Sequence, residues 1–158
     1  MSLPNLDPVS LATTLAAALE TMCFVIADPV DAADPLDVDR HASITIGDEE
    51  GAWKLFLSAS DGVLVEIASG LMGLDPDELD VEQVLPGMIM ELANIFGGEV
   101  INLLGGEERP LRPGIPCLEP GAFDGIPGST SIALDAMGDA LTVSFVPCDA
   151  GSVERAPA

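Results

Sequence analysis

Residues 81–104 read VEQVLPGMIMELANIFGGEVINLL, and the pattern of apolar residues in this stretch organises the reading of the rest. Wound at about 100° per residue, Leu85, Met88, Ile89, Leu92, Phe96 and Leu103 gather on one side, with Ile95 at its edge. That is the apolar stripe of a helix laid on a core. Gly87, Glu91, Asn94 and Gly98 gather on the other side. Glu91 and Asn94 stand three positions apart, so their side chains are neighbours, roughly 60° apart around the axis. The spacing predicts a long helix from about Val81 to Leu104, with Pro86 either inside its start or marking a kink.

Two features set this polar face apart. The turns before and after the Glu91/Asn94 pair carry Gly87 and Gly98. Glycine costs up to about 1 kcal/mol relative to alanine inside a helix, so several in one helix suggest a reason. Bare turns let another surface approach the helix closely. Met90 and Ile101 fall on the rim of the polar face, where apolar residues suit an interface. Gly87, Met90, Gly98 and Ile101 are therefore candidate partner-binding positions around Glu91 and Asn94. The competing reading is a surface helix with incidental polar residues and glycines that admit a neighbouring helix.

Working outward, Asp7-Pro8 marks a helix start, an N-cap acid before proline at the first helical position. Leu11, Leu15, Leu19 and Met22 form its stripe. Residues 28–39, with Pro29, Pro35 and five aspartates, read as an acidic loop. Ala42 to Ile46 alternates and Trp53 to Leu57 alternates, with an acidic turn over Gly47 to Gly51 between them, which predicts a hairpin. Ser60 or Asp61 caps a second helix through about Met72, with Val63, Leu64, Ile67, Ala68 and Leu71 as its buried stripe. Leu74 to Asp80 is an acidic connection into the long helix. After a proline-rich crossing over 109–127, in which 115–123 reads as a weak strand, Ser131 to Ala136 and Leu141 to Val146 form a second hairpin about Met137-Gly138-Asp139. The order helix-strand-strand-helix-helix-strand-strand, with an optional further strand, indicates an α+β fold with helices packed on an antiparallel sheet. One domain is expected over 1–158, ordered over about 8–147 with a frayed end from Asp149, and no internal repeat is evident.

Composition narrows the function. Asp and Glu total 27 against five Lys and Arg, a formal net charge of -22. Such a chain repels nucleic acid and anionic membranes; its acidity fits either steering toward a basic partner surface or plain solubility, including in a salty cytoplasm. With 48% of residues apolar, a core is affordable. No uninterrupted apolar run reaches the eighteen or so residues of a membrane span, and residues 1–7 lack a secretory pattern. The expected location is the cytoplasm. Cys23, Cys117 and Cys148 lack the spacing of a disulfide framework or a zinc site. His41 is the only histidine and reads as a strand-edge surface residue. Asp28, Asp31, Asp34, Asp37 and Asp39 lack the glycine and terminal glutamate of an EF-hand loop. No metal site and no cofactor of its own are expected.

The run Glu91-Leu92-Ala93-Asn94-Ile95-Phe96-Gly97-Gly98-Glu99-Val100 resembles the signature helix of the CheX/CheC/FliY chemotaxis phosphatases, in which E-x-x-N is followed by apolar residues and a glycine-containing step. The element order over about 8–147 resembles theirs too. So does the single motif: CheC-type members usually carry two, CheX-type members one. A second copy in the 61–73 helix would need asparagine where Ser69 follows Glu66.

The resemblance implies a CheC-like domain that speeds hydrolysis of the phospho-aspartate on a CheY-type response regulator. Phosphoryl transfer depends on positioning and charge stabilisation more than on a protein nucleophile. Asn94 would orient the attacking water, since an amide both donates and accepts. Glu91 would pair with the lysine lining the regulator's active site and fix the docking register. The divalent cation, Mg2+, would sit in the regulator. A homodimer is expected, as in CheX-type relatives. The alternative is a non-catalytic CheX-like module that binds a response regulator or another signalling partner without turnover.

Overall fold

The computed structural model describes residues 6–31, 38–48, 51–105, 111–121 and 129–148. Asp34, Asp37 and the segment from Asp149 onward lie outside them, as does all of 122–127. Helix α1 spans Pro8–Cys23, strand β1 Asp28–Val30, β2 Arg40–Gly47 and β3 Ala52–Ala59. Helix α2 spans Asp61–Met72 and α3 Val81–Leu103, followed by β4 Arg112–Pro113, β5 Cys117–Glu119, β6 Thr130–Ala136 and β7 Asp139–Cys148. The strands form one seven-stranded sheet in the order β1-β6-β7-β3-β2-β4, with β5 also on β2, and every pairing is antiparallel.

Local chemistry places the helix ends where the sequence puts them. The Ser10 N–H donates to Asp7 Oδ2 at 3.0 Å, capping α1 ahead of Pro8. Ser60 caps α2, and Gly73, in the left-handed region at φ 67°, ends it. Pro86 sits within α3, and the helix continues through it. It lies in the second turn, so it removes only the bond that the Glu82 carbonyl would have received. Met137 and Gly138, both at positive φ, make the tight β6–β7 turn.

Period-two alternation divides the sheet into two faces. Ala42, Ile44 and Ile46 of β2 lie opposite Leu57, Leu55 and Trp53 of β3, and all are buried. Val143 and Phe145 of β7, with Ile132 and Leu134 of β6, continue the same face. The helices lie over it: α3 on β2 and β3, α1 on β6 and β1, α2 against the start of β7. Trp53 and Phe145 stack with ring centroids 5.8 Å apart inside this layer. Leu85, Ile89, Leu92 and Phe96 of α3 are fully buried in it. The opposite face carries Ser43, Thr45, Ser58, Ser131 and Ser144, with Ser131 Oγ and Ser144 Oγ 2.8 Å apart.

Several sequence expectations change. Residues 28–30, read as loop, form an edge strand on β6. Arg112–Pro113 add a further short strand to β2. His41 is not at an edge, because β2 is flanked by β3 and by β5; its Nδ1 lies 2.8 Å from Ser58 Oγ on the polar face. Leu71, expected in the buried stripe of α2, is exposed, because it lies in the last turn beyond the part of α2 held by the core. Met22 is likewise exposed, and Cys23 is the buried residue at that end of α1. Met88 is only half-buried: on the wheel it falls with Ile95 on the margin of the stripe, and both pack partly against the core.

The element order also contains a repeat that the residues do not announce. Helix, short strand and long hairpin occur twice, as α1-β1-β2-β3 and as α3-β4/β5-β6-β7. Each half's short strand pairs with the other half's hairpin, β1 with β6 and β5 with β2, about the central β3–β7 pair. The counterpart of α3 is thus α1, not α2.

Candidate functional site

Glu91 and Asn94 are both exposed on α3, one turn apart. Their neighbours Leu92, Ala93 and Phe96 are fully buried. The amphipathic wheel alone accounts for this: anchoring the apolar stripe on the sheet forces the E-x-x-N face outward. α3 thereby holds both side chains on a rigid element backed by the core.

The glycines of α3 divide by environment. A Cβ on Gly97 would stand 3.3 Å from Ile44 Cδ1 and 3.5 Å from Ile44 Cγ2, so its bareness serves the close seating of α3 on β2. Gly87 and Gly98 have nothing within 4 Å of such an atom. Their lack of a side chain serves no contact among the described residues. Both open glycines lie on the side of Glu91 and Asn94. Met90 and Ile101 are half-buried, and Ile101 packs partly against the core, so it offers a partner less surface than its place on the wheel suggests.

The C-terminal end of α1 reaches this site. Cys23 is fully buried, and its thiol pKa is raised, first by desolvation and then by the negative charge of Glu91. The three helices α1, α2 and α3 all contact one another. α1 carries no second motif: its only glutamate, Glu20, is followed three residues on by Cys23, and it contains no asparagine.

His41 lies on the face of the sheet turned away from the helices, hydrogen-bonded to Ser58. Glu119, one of the acids in the proline-rich crossing, accepts from Ser43 Oγ at 2.7 Å and faces Lys54 Nζ at 3.6 Å. Asp39 accepts from the Asp61 N–H at 2.9 Å, and Asp61 pairs with Arg40 at 2.7 Å. These acids hold the fold together at the start of β2 and α2. Among the described residues no group of three or more His, Cys, Asp or Glu is placed to hold a metal ion.

What the exposed pair can do chemically is limited and definite. A carboxylate and an amide one turn apart can grip a cation with one group, and orient a water or an oxyanion with the other.

Neither a protein-family description nor a curated protein matches the sequence. Solved structures do match over nearly the whole chain. The chemotaxis protein CheX from Vibrio vulnificus superposes with a TM-score of 0.68 at 15% identity, covering 90% of this chain and 98% of that one. A CheC-like superfamily protein from Shewanella sp. PV-4 gives 0.69 at 17% identity, over 92% and 99%. A structure of the CheX-CheY-BeF3-Mg complex from Borrelia burgdorferi gives 0.61 at 14% identity, over 92% and 100%. Coverage of 90–92% of this chain and 98–100% of those structures gives the chain the CheX/CheC-type fold.

Proposed function

We propose that the chain is a CheX-like phosphatase that docks a phosphorylated CheY-type response regulator and speeds hydrolysis of its phospho-aspartate. The observation that carries this reading is the outward placement of Glu91 and Asn94 on the core-anchored helix α3, with open glycine turns on both sides. Asn94 would insert its amide beside the phosphoryl group, accepting a hydrogen bond from the attacking water through its carbonyl oxygen and donating one to a phosphoryl oxygen through its NH2 group. Holding that water in line removes the entropy of finding the geometry, which is most of what an aspartyl phosphate needs. Glu91 would pair with a lysine of the regulator and set the register. The cation belongs to the regulator's site, in keeping with the Mg present alongside CheY in the Borrelia burgdorferi CheX complex. A cytoplasmic homodimer is part of the same reading.

The test is phosphate release from phosphorylated CheY-type regulators with and without the chain. Release above the regulators' own rate supports the phosphatase. Binding of the phosphorylated regulator without faster release makes the chain a docking module instead.

A further inference from the structure

Resting on the regulator reading, the structure assigns a second part to the docking surface: an apolar patch led by Phe24 and Ile26 at the end of α1, fitted to a regulator surface of apolar side chains rimmed by lysine or arginine. Phe24 is the C-cap of α1 and adopts φ 59°, ψ 29°. That is the left-handed region, which glycine or asparagine normally fills and which is an outlier for a bulky side chain. The ring gains little inside the protein in return, being 74% exposed. A strained backbone position that displays a phenyl ring to solvent calls for an external contact.

The neighbours make Phe24 part of a surface. Ile26 is 64% exposed, while Val25 and Ala27 are buried, so the chain after α1 alternates with its large residues outward. Met22 and Leu71 are also exposed, at the ends of α1 and α2. Gly70 brings these ends together: a Cβ there would stand 2.9 Å from the Cys23 carbonyl oxygen and 3.8 Å from Phe24 Cδ2. The patch lies at the end of a helix that contacts α3, and Cys23, beside Phe24 in the chain, is within electrostatic reach of Glu91.

Charge selects the occupant. Residues 1–39 and 55–108, which include all three helices, contain no lysine or arginine. Glu20, Glu66 and Glu91 are exposed on these helices. A second copy would bring one acid-only layer against another, and an anionic bilayer would be repelled in the same way. A basic-rimmed apolar surface matches both the charge and the patch.

The experiment measures binding of the full chain to CheY-type regulators held with BeF3 and Mg2+, by calorimetry, for the parent and for Phe24→Gly and Ile26→Ser. Phe24→Gly suits the left-handed backbone, so its melting temperature should equal or exceed the parent's. The expected result is affinity about tenfold or more weaker for Phe24→Gly, with a smaller loss for Ile26→Ser. Unchanged affinity in both variants overturns the patch and leaves the Glu91/Asn94 reading standing. If the parent binds none of the regulators, the regulator reading fails and this surface fails with it. If the variants alter only self-association, seen by sedimentation without regulator, the patch joins two copies and the proposal is wrong.

Discussion

Gly97 and Gly98 are adjacent on α3 and meet different surroundings. Gly97 is packed on Ile44 of β2, whereas Gly98 faces open space beside Asn94. Helix propensity penalises both equally, so only their contacts separate a packing role from a clearance role.

The two positions should therefore respond in opposite ways. Gly98→Ala should stabilise the fold by about 0.5–1 kcal/mol, yet weaken regulator binding if the bare turn is clearance for a partner. Gly97→Leu should destabilise by about 1–3 kcal/mol through overpacking against β2. Thermal unfolding of each variant beside a binding assay checks this. A Gly98→Ala chain that is more stable and binds as before would leave that glycine without a docking role.

Much of this arrangement was legible in residues 81–104, because one long amphipathic helix fixes which side chains face the core. Glu91, Asn94, Gly87 and Gly98 all fall on the side where the wheel puts them. The short edge strands were not legible. Asp28-Pro29-Val30 sits in an acidic run, and proline at its centre has no N–H for a ladder, a trait tolerated at a sheet edge. The pairing partner on β6 lies about a hundred residues away, beyond any local pattern. The two-fold repeat was hidden because the halves differ in helix length and only α3 carries E-x-x-N. Phe24 carries no sequence mark of its conformation, because a left-handed cap normally announces itself as glycine or asparagine. The signal available was the large-small-large alternation of Phe24, Val25, Ile26 and Ala27 directly after a helix.

Association with the regulator should weaken as salt rises. The net charge of -22 and the cation-free helical layer make encounter electrostatic, and such steering is screened beyond a Debye length of about 8 Å at physiological ionic strength. Association rates at several salt concentrations read this directly. Rates indifferent to salt would make the acidity a matter of solubility alone.

Cys23 offers a probe of Glu91 that does not depend on any partner. Burial and the Glu91 charge both raise its thiol pKa above the ordinary cysteine value. With Cys117 and Cys148 replaced by serine, Glu91→Gln should shift thiolate absorbance to lower pH, since one of the two causes is removed. The sign for stability follows: the folded chain holds this proton more tightly than the unfolded chain, so stability falls as pH rises above about 9. An unmoved titration in Glu91→Gln would mean that the carboxylate lies further from α1 than the site requires.

The most direct test of the central claim is steady-state phosphate release, at several regulator concentrations, for the parent, Asn94→Ala and Glu91→Ala. Asn94 is exposed, so its loss should leave the fold intact. If its amide orients the attacking water, Asn94→Ala should still bind the phosphorylated regulator but turn over about 10²–10³-fold more slowly, the usual cost of one transition-state donor. Glu91→Ala should weaken binding as well as turnover, and the double variant should be far from additive. An Asn94→Ala chain that releases phosphate at the parent's rate would contradict the account.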